Sequence, residues 1–220
     1  MPRQKLAPVT PISAFSSVWA AVAAALIVAA VPVSAMSSES AQMPPEQLVE
    51  AMQEGGHVIF IRHASTEKDY ADQIDAVMGD CSTQRTLSEA GWNEAKAIGA
   101  AFERLEIPVG DVISSQYCRG WQTADLAFGR YQMTADLNFE PAEEYTDAQM
   151  AAMRDRVTPH LSRVPDEGNT ILVGHDDPFD AATGIYPEPM GVTFVIRPGG
   201  DGSFEVLGHI PPNGWEALGG

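Results

Sequence analysis

Three segments of the sequence share one layout, in which an apolar run is followed at once by polar residues. They are Val58-Ile-Phe-Ile-Arg62-His63-Ala64-Ser65-Thr66, Val112-Ile-Ser114-Ser115-Gln-Tyr-Cys118-Arg119 and Ile171-Leu-Val-Gly174-His175-Asp176. A continuous apolar run of this kind indicates a strand buried on both faces. Ligand sites of open α/β sheets lie beyond the carboxyl ends of the strands. If the three strands are parallel neighbours, two histidines and two arginines converge on one crevice.

Such a crevice would have the composition of a phosphate-binding pocket. The guanidinium groups of Arg62 and Arg119 are planar, permanently charged forks that match phosphate oxygens. Nearby positive charge pushes an imidazole toward its neutral form, which is a nucleophile. Attack on phosphorus would give a phosphohistidine, and the cations would stabilise the equatorial oxygens. A second imidazole, if protonated, would add another phosphate donor, and a carboxylic acid is still needed to protonate the leaving alcohol.

Alternating helices and strands must position these residues. Helices are predicted over Glu46–Gln53, from the cap Ser88 to about Leu105, around residues 120–128 and from the cap Thr146 through Val157 or beyond. Strands are predicted at Val58–Ile61, Asp111–Ser114, Thr170–Val173 and in a hairpin of Val192–Ile196 with Ser203–Leu207. The acidic stretches 67–80 and 136–147 are predicted as loops. This order predicts an α/β fold, a three-layer α/β/α sandwich with a mostly parallel central sheet and an antiparallel edge hairpin.

The first 35 residues have the composition of an export signal. Arg3 and Lys5 are their only charges, Val18–Val31 is an unbroken apolar run, and Val33-Ser34-Ala35 fits the small-x-small rule of signal peptidase. We therefore expect cleavage after Ala35 and a periplasmic or secreted protein, the alternative being an uncleaved N-terminal anchor. The predicted segments are a signal peptide (1–35), a flexible leader (36–43) and one folded catalytic domain (44–220).

The negative charge of the chain argues against binding to nucleic acids or anionic membranes. The 220 residues carry a formal charge of −17, and loss of Arg3 and Lys5 with the signal would make it −19. Nucleic acids and anionic membrane surfaces are bound by clustered lysine and arginine. We expect no nucleic-acid partner, and no stable membrane span after signal cleavage.

Cys81 and Cys118 are the two cysteines of the chain. In an oxidising compartment such a pair can form one disulfide, whereas the alternative is two buried thiols. Neither cysteine has the spacing of a metal site or the Cys-x5-Arg loop of tyrosine phosphatases. Both interpretations of the pair stay open at this point.

The conjunction of motifs resembles the histidine phosphatase superfamily, and more narrowly its small, phosphoglycerate-mutase-like branch. The matching motifs are Arg62-His63-Ala64-x-Thr66, Leu87-Ser88-x-x-Gly91 with Ala95, Ser114-Ser115-x-x-Cys118-Arg119 followed by Gln122-Thr123-Ala124, and Gly174-His175. The region of resemblance runs from about residue 56 to residue 210, which is nearly all of the predicted mature chain. The further pattern Cys81-x-x-Gln84-Arg85 resembles a subgroup of exported bacterial proteins.

The resemblance implies a role for each matching residue. His63 would be the phosphorylated nucleophile, and Arg62, Arg119 and His175 would complete the phosphate pocket. Thr66 would contact the phosphate side of the site. The family requires no metal or other cofactor. Arg85 is a candidate third phosphate or substrate contact, the alternative being an ion pair with the 67–80 loop.

The proton donor is not assigned by the motifs. The acid-phosphatase branch uses an aspartate directly after the second histidine, and Asp176 occupies that position. Small-branch enzymes take a glutamate from the interval that holds Glu140, Glu143 and Glu144 here. Asp176 is favoured over Glu140, with Glu188 third.

The sequence therefore predicts an exported phosphatase that hydrolyses a small phosphomonoester through a phosphohistidine on His63. Its substrate class would include envelope sugar phosphates and phosphoproteins, and the acidic loops bordering the cleft would disfavour polyanions. One alternative is a non-catalytic phosphate- or phosphoglycan-binding protein of the same fold. Another is a metal-dependent hydrolase using His175, Asp176 and Asp177.

Overall fold

A six-stranded sheet forms the middle of the structure, a computed structural model that describes residues 42–68 and 70–219. Its strands are β1 (Val58–Arg62), β2 (Val109–Ser115), β3 (Gln132–Thr134), β4 (Asn169–Gly174), β5 (Thr193–Pro198) and β6 (Phe204–Ile210). They are arranged in the order β3-β2-β4-β1-β5-β6. The first four strands of this order are parallel, whereas β5 runs antiparallel to β1 and β6 antiparallel to β5. The predicted parallel sheet with an antiparallel edge hairpin is confirmed.

Helices cover both faces of the sheet. They are α1 (Pro45–Glu54), α2 (Glu89–Arg104), α3 (Cys118–Phe128), α4 (Asp147–Ser162) and α5 (Asp176–Thr183). Successive side chains of a strand point to opposite faces, so Ile59 and Ile61 of β1 pack with α1, α2 and α3. Val58 and Phe60 pack with α4 and α5 on the other face. The predicted α/β/α sandwich is confirmed, and β1 is buried along its whole length as its apolar run requires.

The predicted caps begin the two long helices. The Ser88 hydroxyl accepts the Gly91 N–H at 3.0 Å, and Thr146 forms a capping box with Gln149. A Cβ on Gly91 would lie 2.0 Å from the carbonyl oxygen of Ser65, so only glycine allows α2 to pack this closely on the chain after β1. Helix α4 includes Pro159 and ends at Ser162, in agreement with a helix predicted through Val157 or beyond.

Two elements were not predicted from the sequence. Strand β3 is three residues long and has no apolar run that would predict it. It is a strand because its backbone pairs with β2. Helix α5 starts at Asp176, in a run of carboxylates that is typical of a loop. Its Pro178 is compatible with a first helical turn, and Gly184 ends the helix in the left-handed conformation.

The predicted signal peptide lies outside the described residues, as does most of the predicted leader. The backbone N–H of Met43, the last residue of that leader, donates to Leu207 O at 2.8 Å. Among the residues described, no helix is both long enough and apolar enough to span a membrane.

A disulfide joins Cys81 to Cys118, which answers the question that the sequence left open. It links the short 3-10 turn Cys81–Thr83 to the first residue of α3. The side-chain oxygen of Gln84 adds a second tie, because it accepts the Cys118 N–H at 2.8 Å. The bridge therefore holds the 67–85 region against the helix that carries Arg119.

Replacement of both cysteines by serine is expected to lower the free energy of unfolding. The bridge closes a loop with a sequence separation of 37 residues. A loop of this length corresponds to about 3–4 kcal/mol in the chain-entropy treatment. Urea denaturation of the oxidised protein and of the Cys81→Ser/Cys118→Ser variant measures the difference, with Ser82→Ala as a control beside the bridge. Equal transition midpoints would show that the bridge contributes nothing.

Candidate active site

The register of the parallel strands brings the predicted residues to one edge of the sheet. Arg62 at the end of β1 pairs with Gly174 at the end of β4, and Ser114 of β2 pairs with Val173. The next residue along each strand therefore emerges at the same edge. The rings of His63 and His175 lie there with their centroids 5.3 Å apart.

His63 is buried and held in one tautomer by its hydrogen bonds. Its Nδ1 donates to the carbonyl oxygen of Ala64 at 2.9 Å, and the Nε–H of Arg119 points at Nε2 from 3.2 Å. Since an N–H donor must meet a lone pair, the lone pair of the neutral ring lies on Nε2. Burial, followed by the charge of Arg119, lowers the pKa of His63 well below its ordinary value. The side chain is therefore a neutral imidazole with Nε2 directed into the site.

Arg119 is fixed from several directions. It lies in the first turn of α3 and is 1% exposed. One terminal nitrogen donates to Asp72 Oδ2 at 2.8 Å, and the guanidinium carbon lies 4.7 Å from the ring centre of Tyr117 and 5.5 Å from that of Phe139. A guanidinium constrained in this way presents its charge with little loss of side-chain entropy on binding an anion.

Arg62 is the last residue of β1 and precedes His63 in the chain. Its NH2 donates to Asp176 Oδ2 at 2.5 Å and its NH1 to Pro187 O at 2.9 Å. The Nε atom is buried and has no hydrogen-bond partner in the described part of the chain. A cavity of about 360 Å³ opens beside it, lined by Arg62, Glu188, Pro189 and Met190. Arg62 therefore lines a space that can admit a substrate.

His175 begins the turn into α5 and is completely buried. Its Nε2 lies 2.7 Å from Ser115 Oγ, whereas its Nδ1 has no hydrogen-bond partner among the described residues. Burial and the charge of Arg119 lower the pKa of His175 well below its ordinary value. The protonated second imidazole considered from the sequence is thus disfavoured in the free site. A neutral ring that accepts from Ser115 still carries an Nδ1–H that can donate to a phosphate oxygen.

Thr66 and Arg85 form the border of the pocket rather than its centre. The NH2 of Arg85 donates to Thr66 Oγ1 at 2.9 Å, and its NH1 donates to Tyr70 O at 3.2 Å. The charge of Arg85 contributes to the lowered pKa of both histidines, which places it within electrostatic reach of them. Both side chains stay predicted substrate contacts.

The three predicted proton donors have different surroundings. Asp176 accepts from Arg62 and Tyr186 with Oδ2 and from the Asp177 N–H with Oδ1. Glu140 forms an ion pair with Arg156 of α4. Glu188 is exposed on the wall of the cavity beside Arg62. Asp176 is thus closest to the pocket but serves as an acceptor with both oxygens.

The structure does not support the metal-dependent alternative. Within residues 42–68 and 70–219, no group of three or more histidine, cysteine, aspartate or glutamate side chains is arranged to hold a metal ion. Asp176 and His175 have the protein partners described above instead.

Sequence reasoning missed Asp72, Tyr186 and the aromatic pair Tyr117 and Phe139. Asp72 belongs to the 67–80 loop, where it is one acid among several and no pattern distinguishes it. It is 4% exposed, and its Oδ2 accepts both from Arg119 and from the Arg85 N–H. The folded loop therefore inserts one of its acids between two site arginines.

The fold and site together define an α/β protein with two histidines and two arginines clustered at the carboxyl ends of its parallel strands. No family model and no curated protein matches the sequence. Solved structures do match. A candidate alpha-ribazole-5'-P phosphatase from Escherichia coli K-12 is 14% identical over 69% of this chain and 94% of that chain, with a TM-score of 0.51.

Two further solved structures match at lower scores. The protein histidine phosphatase SixA, solved with tungstate, is 13% identical over 71% of this chain and 97% of that chain, with a TM-score of 0.45. A mycobacterial glucosyl-3-phosphoglycerate phosphatase is 14% identical over 69% of this chain and 97% of that chain, with a TM-score of 0.48. The first of these three structures shows that this chain shares its fold.

Proposed function

We propose that this protein is a phosphatase that hydrolyses a phosphomonoester through a phosphohistidine on His63. The observation that carries the proposal is the contact of the Arg119 Nε–H with Nε2 of a buried, neutral His63. It places a phosphate-binding cation and a nucleophilic nitrogen next to each other in one pocket. The names of the similar structures describe phosphatases, and the proposal gives this chain the same class of reaction.

The pocket residues divide the chemistry between them. Nε2 of His63 attacks phosphorus in line with the leaving oxygen, while Arg62 and Arg119 hold the equatorial phosphate oxygens. His175 donates through Nδ1 to the same group. Water then attacks the phosphohistidine and releases phosphate. Both charged donors are held by buried carboxylates, Asp176 for Arg62 and Asp72 for Arg119, so they need little reorganisation during the reaction.

The proposal extends to an exported protein that acts on small esters. Its export rests on the signal-like segment 1–35, and its preference rests on charge. Asp72, Asp75 and Asp80 belong to the 67–80 loop, which reaches the pocket through Asp72. Such a border repels long polyanions more strongly than a single phosphate group. Small monoesters, sugar phosphates of the cell envelope and phosphoproteins are the substrates that fit.

A phosphate-ester panel tests the proposal. The purified protein is expected to hydrolyse p-nitrophenyl phosphate and a small sugar phosphate, to be inhibited by vanadate and to keep its activity in EDTA. Phytate and nucleic acid are expected to be poor substrates. Binding of inorganic phosphate without turnover of any ester would favour the non-catalytic alternative, and loss of activity in EDTA would favour the metal-dependent one.

A further inference from the structure

We propose that Asp177 is the proton donor to the leaving oxygen of the phosphate ester. This assignment rests on the phosphatase function proposed above. Asp177 is not one of the three proton donors predicted from the sequence. Asp176 then has a different role, which is to position Arg62.

Asp177 lies between two elements that each touch a phosphate-binding arginine. On one side its backbone N–H donates to Asp176 Oδ1 at 3.1 Å, and the other oxygen of Asp176 holds Arg62. On the other side its carboxyl group is hydrogen-bonded to the hydroxyl of Tyr145. That hydroxyl accepts from Gln73, whose neighbour Asp72 holds Arg119. The carboxyl group therefore lies within electrostatic reach of Arg62, at the border of the pocket where Tyr145 connects α5 to the 67–80 loop.

The surroundings of Asp177 favour a proton on its carboxyl group more than water does. Asp176 and Asp180 of α5 bring negative charge near it, and Tyr145 and Tyr186 approach from two loops. The hydrogen bond with Tyr145 and the positive charge of Arg62 oppose this effect. Partial burial, followed by the charge of Asp176, raises the pKa of Asp177 to about 6. Since the folded pKa is raised, the proton is present below pH 6 and is lost as the pH rises through that value.

The three acids predicted from the sequence are less suited to donate a proton, because each is either hydrogen-bonded as an acceptor, ion-paired or exposed to water. A proton on Asp176 Oδ2 would displace Arg62 or Tyr186, because both groups donate to that oxygen. Glu140 is paired with Arg156, and Glu188 is exposed to water. For Asp177, partial burial and the charge of Asp176 favour the neutral form.

The proposed steps balance in protons and electrons. The Nε2 lone pair of His63 forms a bond to phosphorus as the bond from phosphorus to the ester oxygen breaks. The departing oxygen takes its electron pair and the proton of Asp177, which leaves as part of the alcohol. In the second half the Asp177 carboxylate removes a proton from water as the water oxygen bonds to phosphorus. The bond to Nε2 then breaks, and phosphate, neutral His63 and protonated Asp177 result.

Leaving-group dependence tests the assignment. Asp177→Asn is expected to lower kcat/KM about 10²–10⁴-fold on an alkyl phosphate such as glycerol 2-phosphate. On p-nitrophenyl phosphate the loss is expected to be less than about 10-fold, because nitrophenolate departs without protonation. The wild-type rate on the alkyl ester is expected to fall as pH rises through about 6, and this dependence is expected to vanish in the variant. Asp147→Asn is the control, since Asp147 is an exposed acid in the first turn of α4.

Other results would overturn the assignment. Equal losses on both esters would show that Asp177 maintains the structure of the pocket and donates no proton. The alkyl-specific loss appearing in Asp176→Asn or Glu188→Gln, with Asp177→Asn unaffected, would move the role to that residue. Retained hydrolysis of p-nitrophenyl phosphate shows that the variant is folded. Inactivity of the wild type on every ester would instead contradict the phosphatase function itself.

Discussion

Replacement of His63 by alanine is expected to lower kcat/KM for p-nitrophenyl phosphate by at least about 10⁴-fold, as expected for loss of a covalent nucleophile. The variant lacks the Nε2 lone pair that Arg119 now faces, and no other side chain of the pocket offers a neutral nitrogen in that position. His175 is the other imidazole in the pocket, but its Nε2 is engaged by Ser115. Steady-state kinetics on the purified variant measure the loss.

A direct observation of the intermediate strengthens this test. Acid-labile, alkali-stable phosphate is expected on the wild-type chain after rapid mixing with ester and denaturation in base, and it is expected to be absent from His63→Ala. His160→Ala is the matched control, because His160 lies in α4 and pairs with Asp136 away from the pocket. Comparable rates for the wild type and His63→Ala would refute the proposed reaction.

Arg119→Ala is expected to affect activity and stability together. Loss of one preorganised donor to a developing charge lowers kcat about 10²–10³-fold. The same change leaves Asp72 without its ion-pair partner in a site where both side chains are almost fully buried. Removal of one member of a buried ion pair costs about 3–5 kcal/mol. Steady-state kinetics and urea denaturation measure the two effects.

A second substitution separates the two effects. Arg119→Ala/Asp72→Ala is expected to recover much of the lost stability, because no uncompensated carboxylate remains in the interior. It is expected to recover none of the activity, because the phosphate-binding cation is still missing. Arg119→Lys is the conservative control and retains charge without the planar fork. Recovery of activity in the double variant would show that Arg119 acts only by neutralising Asp72.

Local patterns predicted the elements that hold the main site residues. Continuous apolar runs identify β1 and β4 because strands covered by helices on both faces contain few polar residues. The polar residues that end these runs, Arg62 with His63 and Gly174 with His175, therefore mark the edge of the sheet. Helix caps such as Ser88 and Thr146 were equally readable, since the cap is a hydrogen bond between near neighbours in the chain.

Contacts between distant segments could not be predicted in the same way. Asp72 reaches Arg119 across 47 positions, and Tyr145 brings Gln73 together with Asp177. Each of these acids lies in a run of similar acids, so only the packing of the loops determines which of them is buried. Strand β3 likewise depends on its pairing with β2.

The sequence by itself determined the sheet-edge motifs, the helical layers and the nucleophile candidate, because these follow from local hydrophobicity and from residue type. It left open whether Cys81 and Cys118 pair, how Arg119 is held, and which acid keeps a proton. Only the tertiary structure decided the disulfide and the Asp72 contact, and it brought Asp177 forward as the donor to test. Burial and neighbouring charge control a carboxyl group, and both arise when segments far apart in the chain come together.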